Sequence, residues 1–477
     1  MNIERNAIAG LKWTGAARFI GQLSTWAVTL IVIRILAPQD YGLMAISAVI
    51  IGLSSSVAEL GLGSSIVQAP SLATQDLARV AGLAVALNLA IALLVVLLAP
   101  LAAQLYGDPR LTGVIQASSL QFLPVALGTV PQALSSRKMR FKWLAAVELA
   151  SGLAASLTTL GLALNGAGVW SLVLGGLAGS GVRAMLLVRD SWITPSFDFA
   201  GIRRHMAFGG AVTTARLAWQ IVNQSDVLIA GRFLTQEAVG VYSVSMHMAT
   251  LPMQKLMGIV SQVAFPTVAR LQNDPARLRQ QLVFALGMLN FVAVPTMWGL
   301  SAVAPEFVAL LFGPKWINAV FPLQVASLIV PVRMCSGVIS TATLGVGAAT
   351  LDLRNTIVNL VVLPLAFVIG VRWGVDGLAI GGAVGLTVVL GLTLPRMCKV
   401  LGLDPLQVAR TGTAPMAAGL ALYGAVVLAR WLWPDADLPL RLTLLILAGG
   451  LAYLATITLI DPRVWRDTKR LIAALRA

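Results

Sequence analysis

Apolar residues in this chain come in runs too long and too unbroken for the amphipathic helices of a soluble protein. Residues 81–98 and 360–371 carry no charge, and similar runs recur along the whole length, each near the roughly 20 residues that a bilayer-crossing helix needs. Strands of a membrane barrel would instead alternate apolar and polar positions over about 10 residues. Helix is therefore the spanning element, because it satisfies its own backbone hydrogen bonds in lipid. Breaking the runs at turn and charge signals predicts about 14 transmembrane helices: 9–36, 40–68, 78–104, 112–135, 143–165, 168–188, 206–234, 239–264, 283–311, 319–346, 355–372, 377–395, 411–431 and 440–460. The expected fold is an all-α polytopic membrane protein.

Composition agrees with that pattern. The 477 residues are 58% hydrophobic and only 11% charged, with a mean hydropathy of +0.85, which excludes an ordinary soluble domain. A net charge of +15 would suit a nucleic-acid partner if it formed one patch, but the basic residues lie in short loops between apolar spans. With the amino terminus inside, 22 of the 34 Lys and Arg fall on the inner side; Arg34, Arg110, Arg232, Lys315, Arg372, Arg430 and Arg441 fall outside. This asymmetry predicts that both termini are cytoplasmic. The run from Phe19 to Ile33 has no small-x-small cleavage site and leads directly into Arg34, so it reads as a retained first span. The two cysteines, Cys335 and Cys398, form neither a disulfide framework nor a metal site.

The chain also repeats itself. Arg34-Ile-Leu36 with Gly42 recurs as Arg232-Phe-Leu234 with Gly240, a displacement of 198 residues (34 to 232), and Arg18 and Gln22 fall on Arg216 and Gln220 in the same register. Six spans separate the copies, so the halves share one orientation, related by an axis along the membrane normal. The expected organisation is a six-helix bundle over 1–200, a second over 201–400, and two further helices with a basic tail over 401–477. On the first span, Thr14, Arg18, Gln22, Thr25 and Thr29 follow helical spacing as one polar stripe; on the seventh, Thr213, Arg216, Gln220, Asn223 and Asp226 do the same. An arginine facing lipid near a helix centre costs about 2.5–3.5 kcal/mol even on the lenient insertion scale. Both stripes are thus expected to face a watery cavity, where guanidinium groups would bind an anion such as phosphate.

Other polar residues within spans have competing readings. Arg18 and Arg216 could snorkel to the cytoplasmic interface. Lys255 and Arg333 could serve the substrate or sit at exposed helix ends, and Arg183 reads as an interfacial anchor. Glu59 and Asp226 are candidates for ion coupling or, with Glu148, for pairing between helices. His247, Thr250 and Gln254 could line the eighth span or hold helices together. The small-residue runs 175–181 and 377–385 read as close helix packing rather than phosphate loops. No nucleophile elbow, Walker motif or metal-ligand cluster is present in the sequence. Neither an enzyme nor a cofactor is expected.

Three segments resemble one family, the Wzx-type (WzxC-like) polysaccharide transporters of the multidrug/oligosaccharidyl-lipid/polysaccharide superfamily. They are the turn Arg34-Ile-Leu-Ala-Pro-Gln-Asp-Tyr-Gly42, the basic loop Arg137-Lys-Met-Arg-Phe-Lys142, and the stretch from Asp226 through Gly231-Arg-Phe-Leu234 to Gly240-Val-Tyr242 and Pro252. The resemblance implies a flippase of the bacterial cytoplasmic membrane, exporting undecaprenyl-diphosphate-linked oligosaccharide for exopolysaccharide, capsule or O-antigen synthesis. Alternating access of two bundles would move it from the inner to the outer leaflet. Membrane lipid would hold the polyprenyl tail, and Arg18, Gln22, Arg216, Gln220, Asn223, Lys255 and Arg333 would bind the headgroup. Proton or sodium coupling through Asp226 or Glu59 stays open, as does association with a polymerase and a chain-length regulator. Two alternatives remain at this point. A cation-coupled multidrug exporter would be expected to carry acids in the first-span stripe, and a membrane glycosyltransferase or polymerase would need large external loops.

Overall fold

A computed structural model describes residues 25–69, 73–198, 203–271 and 274–462, and its elements are helices without strands among these residues. In chain order they are α1 (Thr25–Ile35, the described part), α2 (Pro38–Glu59), α3 (Leu62–Gln68), α4 (Thr74–Tyr106), α5 (Arg110–Ser119), α6 (Phe122–Arg137), α7 (Phe141–Leu164) and α8 (Val169–Asp190). There follow α9 (Arg203–Phe233), α10 (Gln236–Leu271), α11 (Pro275–Ala302), α12 (Ala304–Leu311), α13 (Val320–Gly345), α14 (Ala349–Gly370), α15 (Gly374–Leu401), α16 (Pro405–Leu432) and α17 (Leu438–Ile460). The predicted runs from residue 40 onward appear in order, and of the first, 9–36, residues 9–24 lie outside the described residues. Ten stretches among the described residues are long and apolar enough to cross a membrane, one of which, Thr350–Leu401, contains most of α14 and all of α15. Leu93, Leu97 and Leu101, four residues apart on α4, are each at least 60% exposed, as a stripe turned to lipid would be.

Three runs read as single helices are each broken in two. The run 40–68 stops at Leu60 and Gly61, both in the left-handed region (φ 40° and 61°), which ends α2 before α3 begins. The run 112–135 breaks at Leu120 and Gln121, because Pro124 has no N–H for the Leu120 carbonyl and its ring crowds that oxygen. The run 283–311 breaks at Val303, where Pro305 likewise denies a donor to the Ser301 carbonyl and starts α12.

Contacts gather the chain into two compact units, Met1–Gly240 and Val241–Ala477. In the first, Leu62, Ile66, Val80, Leu83, Ala84 and Val130 bring α3, α4 and α6 together in a buried cluster. Gly175 and Gly179 of α8 lie so close to Thr159 and Ala155 of α7 that a side chain at either position would collide with them, as the small-residue spacing predicts. Asp40, in the first turn of α2, accepts from the Ala37 N–H at 3.1 Å and from the Val169 N–H at 3.1 Å, so one carboxylate caps α2 and α8 together. Between α4 and α5, the Arg110 guanidinium donates to Asp108 and holds its carboxyl below the usual carboxylate range. After α8 the chain runs along the start of α4: the Ser196 N–H donates to the Ala78 carbonyl at 2.8 Å, Arg79 pairs with Asp198, and Arg140 pairs with Asp190 at 2.6 Å.

In the second unit, α11, α13 and α15 share a core of Leu282, Leu286, Met334, Ile339 and Met397. Helices α16 and α17 dock on α11 through Val294, Leu422 and Tyr453. Gly370, Gly377 and Gly381 let α14 and α15 approach at backbone distance. Glu306 of α12, only 5% exposed, accepts two bonds of 2.8 Å from the Arg430 guanidinium of α16, with Arg441 of α17 at 3.5 Å.

Candidate functional site: a polar helix and a polar cavity

The seventh predicted span, α9, is 31 residues long, yet it is not among the stretches that qualify as apolar spans. Its polar stripe lowers the hydropathy, but its structural partner explains why it is nonetheless a packed helix. Val222, Ser225, Val227 and Ala230 of α9 are buried, and the helix runs antiparallel to α2. A side chain at Gly52 of α2 would collide with the Gln220 amide, and one at Gly231 of α9 would press on Ile46 of α2 and Tyr106 of α4. Gln220 therefore fills the notch that a glycine leaves in its neighbour.

Along the same helix, Thr213 is buried and the Asn223 amide donates to the Trp219 carbonyl at 2.8 Å. The Asp226 carboxylate accepts from the Val227 N–H at 2.8 Å. Arg18 and Gln22 lie outside the described residues, as do the side chains of Arg216 on α9 and of Gln254 and Lys255 on α10. On the first stripe, the Thr29 hydroxyl donates to the Thr25 carbonyl at 2.9 Å, within its own helix. Arg333 is exposed on α13, in the second unit. His247 is exposed on α10, where the Thr250 hydroxyl donates to the Met246 carbonyl at 2.8 Å.

Glu59 sits elsewhere, in a cavity of about 440 Å³ inside the first unit, bounded by the end of α2, α3, α6 and α8. Arg183 of α8 lines the same cavity, together with Ser64, Gln68, Thr129, Gln132, Ser136 and Ser180. Sequence reading singles out Glu59 and Arg183 separately and assigns them different roles. It misses the hydroxyls and amides between them. Thr129 and Ser180 donate to Val125 and Leu177 one turn back, which a helix makes available to any Ser or Thr, so their sequence carries no sign of a cavity. Groups of three or more His, Cys, Asp or Glu able to hold a metal are absent among the described residues.

Over 405 residues the chain is 25% identical to the lipopolysaccharide biosynthesis protein WzxC of Escherichia coli K12, covering 84% of this chain and 80% of that protein. It is 30% identical over 295 residues to the succinoglycan biosynthesis transport protein ExoT of Rhizobium meliloti, covering 61% of this chain and 59% of that one. Among solved structures, the lipid II flippase MurJ in an inward closed conformation superposes with a TM-score of 0.75 at 14% identity, over 94% of this chain and 99% of that one. An inward-facing multidrug transporter of the MATE family, in the same superfamily, gives 0.65 at 14% identity, over 79% and 94%. The fold is that of this transporter superfamily. Residues 31–321 match the family described as "Polysaccharide biosynthesis protein", and this multi-pass membrane chain belongs to that family.

Proposed function

We propose that the chain is a flippase that carries undecaprenyl-diphosphate-linked oligosaccharide repeats from the cytoplasmic to the periplasmic leaflet of a bacterial inner membrane, with both termini in the cytoplasm. The observation that carries this reading is the stripe on α9: an arginine, two amides and a carboxylate on one face of a membrane helix. Its register is matched by Arg18 and Gln22, 198 residues earlier. Polar groups of this kind are tolerated in a bilayer where they line water and handle a polar cargo. WzxC and ExoT, named for polysaccharide biosynthesis and transport, support the same cargo class.

In this mechanism Arg18 and Arg216 bind the diphosphate, with Gln22, Gln220, Asn223, Lys255 and Arg333 around the headgroup. The 1–200 and 201–400 bundles rock about the site to expose it to either side, while the polyprenyl tail remains in lipid. Outward movement of negative charge is favoured by about 2.3 kcal/mol per charge per 100 mV of inside-negative potential. Asp226 and Glu59 are the positions for a coupling proton or sodium ion. Polymerase and chain-length regulator are the downstream partners.

Depletion of the chain from its host is the direct cellular test. Lipid-linked oligosaccharide should accumulate on the cytoplasmic leaflet while polymer outside the cell disappears. Unchanged polymer together with increased sensitivity to lipophilic cations would assign it to drug export instead.

A further inference from the structure

The cavity around Glu59 has a chemistry unlike that of the arginine stripes. Among the described lining residues the charged side chains are one carboxylate and one guanidinium, whose formal charges cancel, and the rest of the polar lining is hydroxyl and amide. Such a site has no preference for a diphosphate, which needs converging positive charge. It is equally poor for a lipophilic cation: among the described lining residues there is no aromatic ring, the face on which such cations are held. What it offers is a set of mixed donors and acceptors. Gln68, Gln132, Ser64 and Ser136 make no side-chain hydrogen bond among the described residues, and Thr129 and Ser180 retain lone pairs.

We propose that this cavity is a carbohydrate subsite of the first unit, binding the sugars of the lipid-linked substrate through their hydroxyl groups before translocation; the inference rests on the flippase reading. Its volume, about 440 Å³, falls within the roughly 300–1,000 Å³ of small-ligand sites. Glu59 and Gln68 are exposed at its rim while Ala133, Ala184 and Leu187 are buried, which gives an open mouth and an apolar floor for the C–H faces of a ring. Sugar hydroxyls would replace water on groups that the protein leaves unsatisfied. In the proposed orientation the mouth opens at the cytoplasmic end of the unit, where the substrate is made. The diphosphate and the sugars would then be held by separate sets of residues.

Two variants test this without touching the stripes. Gly63 lines the cavity, and a Cβ there meets nothing within 4 Å, so Gly63→Phe would fill the space. Thr129→Val with Gln132→Leu keeps the shape and removes hydrogen-bonding groups, and it decides the matter should the phenylalanine variant fail to fold. In nanodiscs, affinity would be measured for lipid-linked oligosaccharide extracted from the native host and for synthetic undecaprenyl diphosphate. Wild type should bind the sugar-bearing lipid roughly tenfold more tightly than the bare lipid, the scale of two or so net hydrogen bonds. Both variants should lose that preference and bind the bare lipid as wild type does. Full retention of the preference in the variants would overturn the subsite and leave the flippase reading standing, and so would a wild type that binds the two lipids equally. Failure of wild type to bind either lipid would overturn both.

Discussion

Gly42 and Gly240 pack reciprocally: a side chain at Gly42 would strike the carbonyl oxygen of Gln236, and one at Gly240 would strike the carbonyl oxygen of Pro38. Each glycine faces the residue four places before the other, and 198 residues separate Pro38 from Gln236 as they separate Gly42 from Gly240. The first turns of α2 and α10 thus approach backbone to backbone through matched glycines. Only glycine permits backbone to approach backbone this closely. Gly42→Val and Gly240→Val should each destabilise the folded chain by at least the roughly 1–3 kcal/mol typical of overpacking. Gly152→Ala, where nothing lies within 4 Å, should be neutral or slightly stabilising. Thermal unfolding in detergent measures all three.

Glu306 makes the second prediction. Its carboxylate is buried and joins α12 to α16 through Arg430, with Arg441 of α17 nearby. Glu306→Ala would leave guanidinium groups without their anion, a loss of about 3 kcal/mol for a buried pair broken on one side. Partial recovery is expected when Arg430→Met is added, because the stranded charge is then removed. A double variant no more stable than Glu306→Ala would show that the pair is not what holds α16 to α12.

Asp40 explains one residue of the motif between the first two spans. Because its carboxylate serves the N-termini of both α2 and α8, Asp40→Ala should cost about 1–2 kcal/mol, and Asp40→Asn less, since asparagine also caps well. Equal losses for the two variants, measured by denaturation, would mean that charge at the helix ends matters more than the hydrogen bonds.

How far the sequence foretold this arrangement depends on what kind of signal each feature leaves. Long uncharged runs announce spans because lipid demands them, and α9 and α10 follow from the same breaking of apolar runs at turn and charge signals, as 206–234 and 239–264. The break at Gly61 has a glycine to mark it. The breaks at Leu120 and Val303 come from prolines four residues after a carbonyl that then takes its bond from another donor, Leu123 N–H for Leu120 and the Gln324 amide for Ser301, and a proline within a span is common enough in membrane helices that it does not read as an end. The site divides in the same way. Arginine, glutamine and aspartate in apolar surroundings stand out by themselves. The cavity did not, because α2, α3, α6 and α8 supply single serines, threonines and glutamines that are ordinary in each helix and meaningful only once the helices are packed.

In the proposed mechanism Arg216 is the residue on which the chemistry turns. Arg216→Ala should cripple export while abundance and membrane insertion stay at wild-type levels. Arg216→Lys should restore it only in part, since an ammonium keeps the charge but not the forked donors that match a phosphate. An arginine that merely snorkels would be replaced by lysine without loss. Asp226→Asn should be mild if the carboxylate only neutralises a nearby cation, and severe if it carries a proton.

Vesicles containing the purified chain test the central claim most directly. Lipid-linked oligosaccharide from the native host would be placed in both leaflets, and a membrane-impermeant reagent that oxidises sugar diols would be added outside. Without protein, only the outer leaflet's share should react. With wild-type protein the inner pool should also become reactive, and with Arg216→Ala it should stay protected. Sugars that remain protected in the presence of the folded wild-type chain, or that are exposed equally by wild type and Arg216→Ala, would contradict the account.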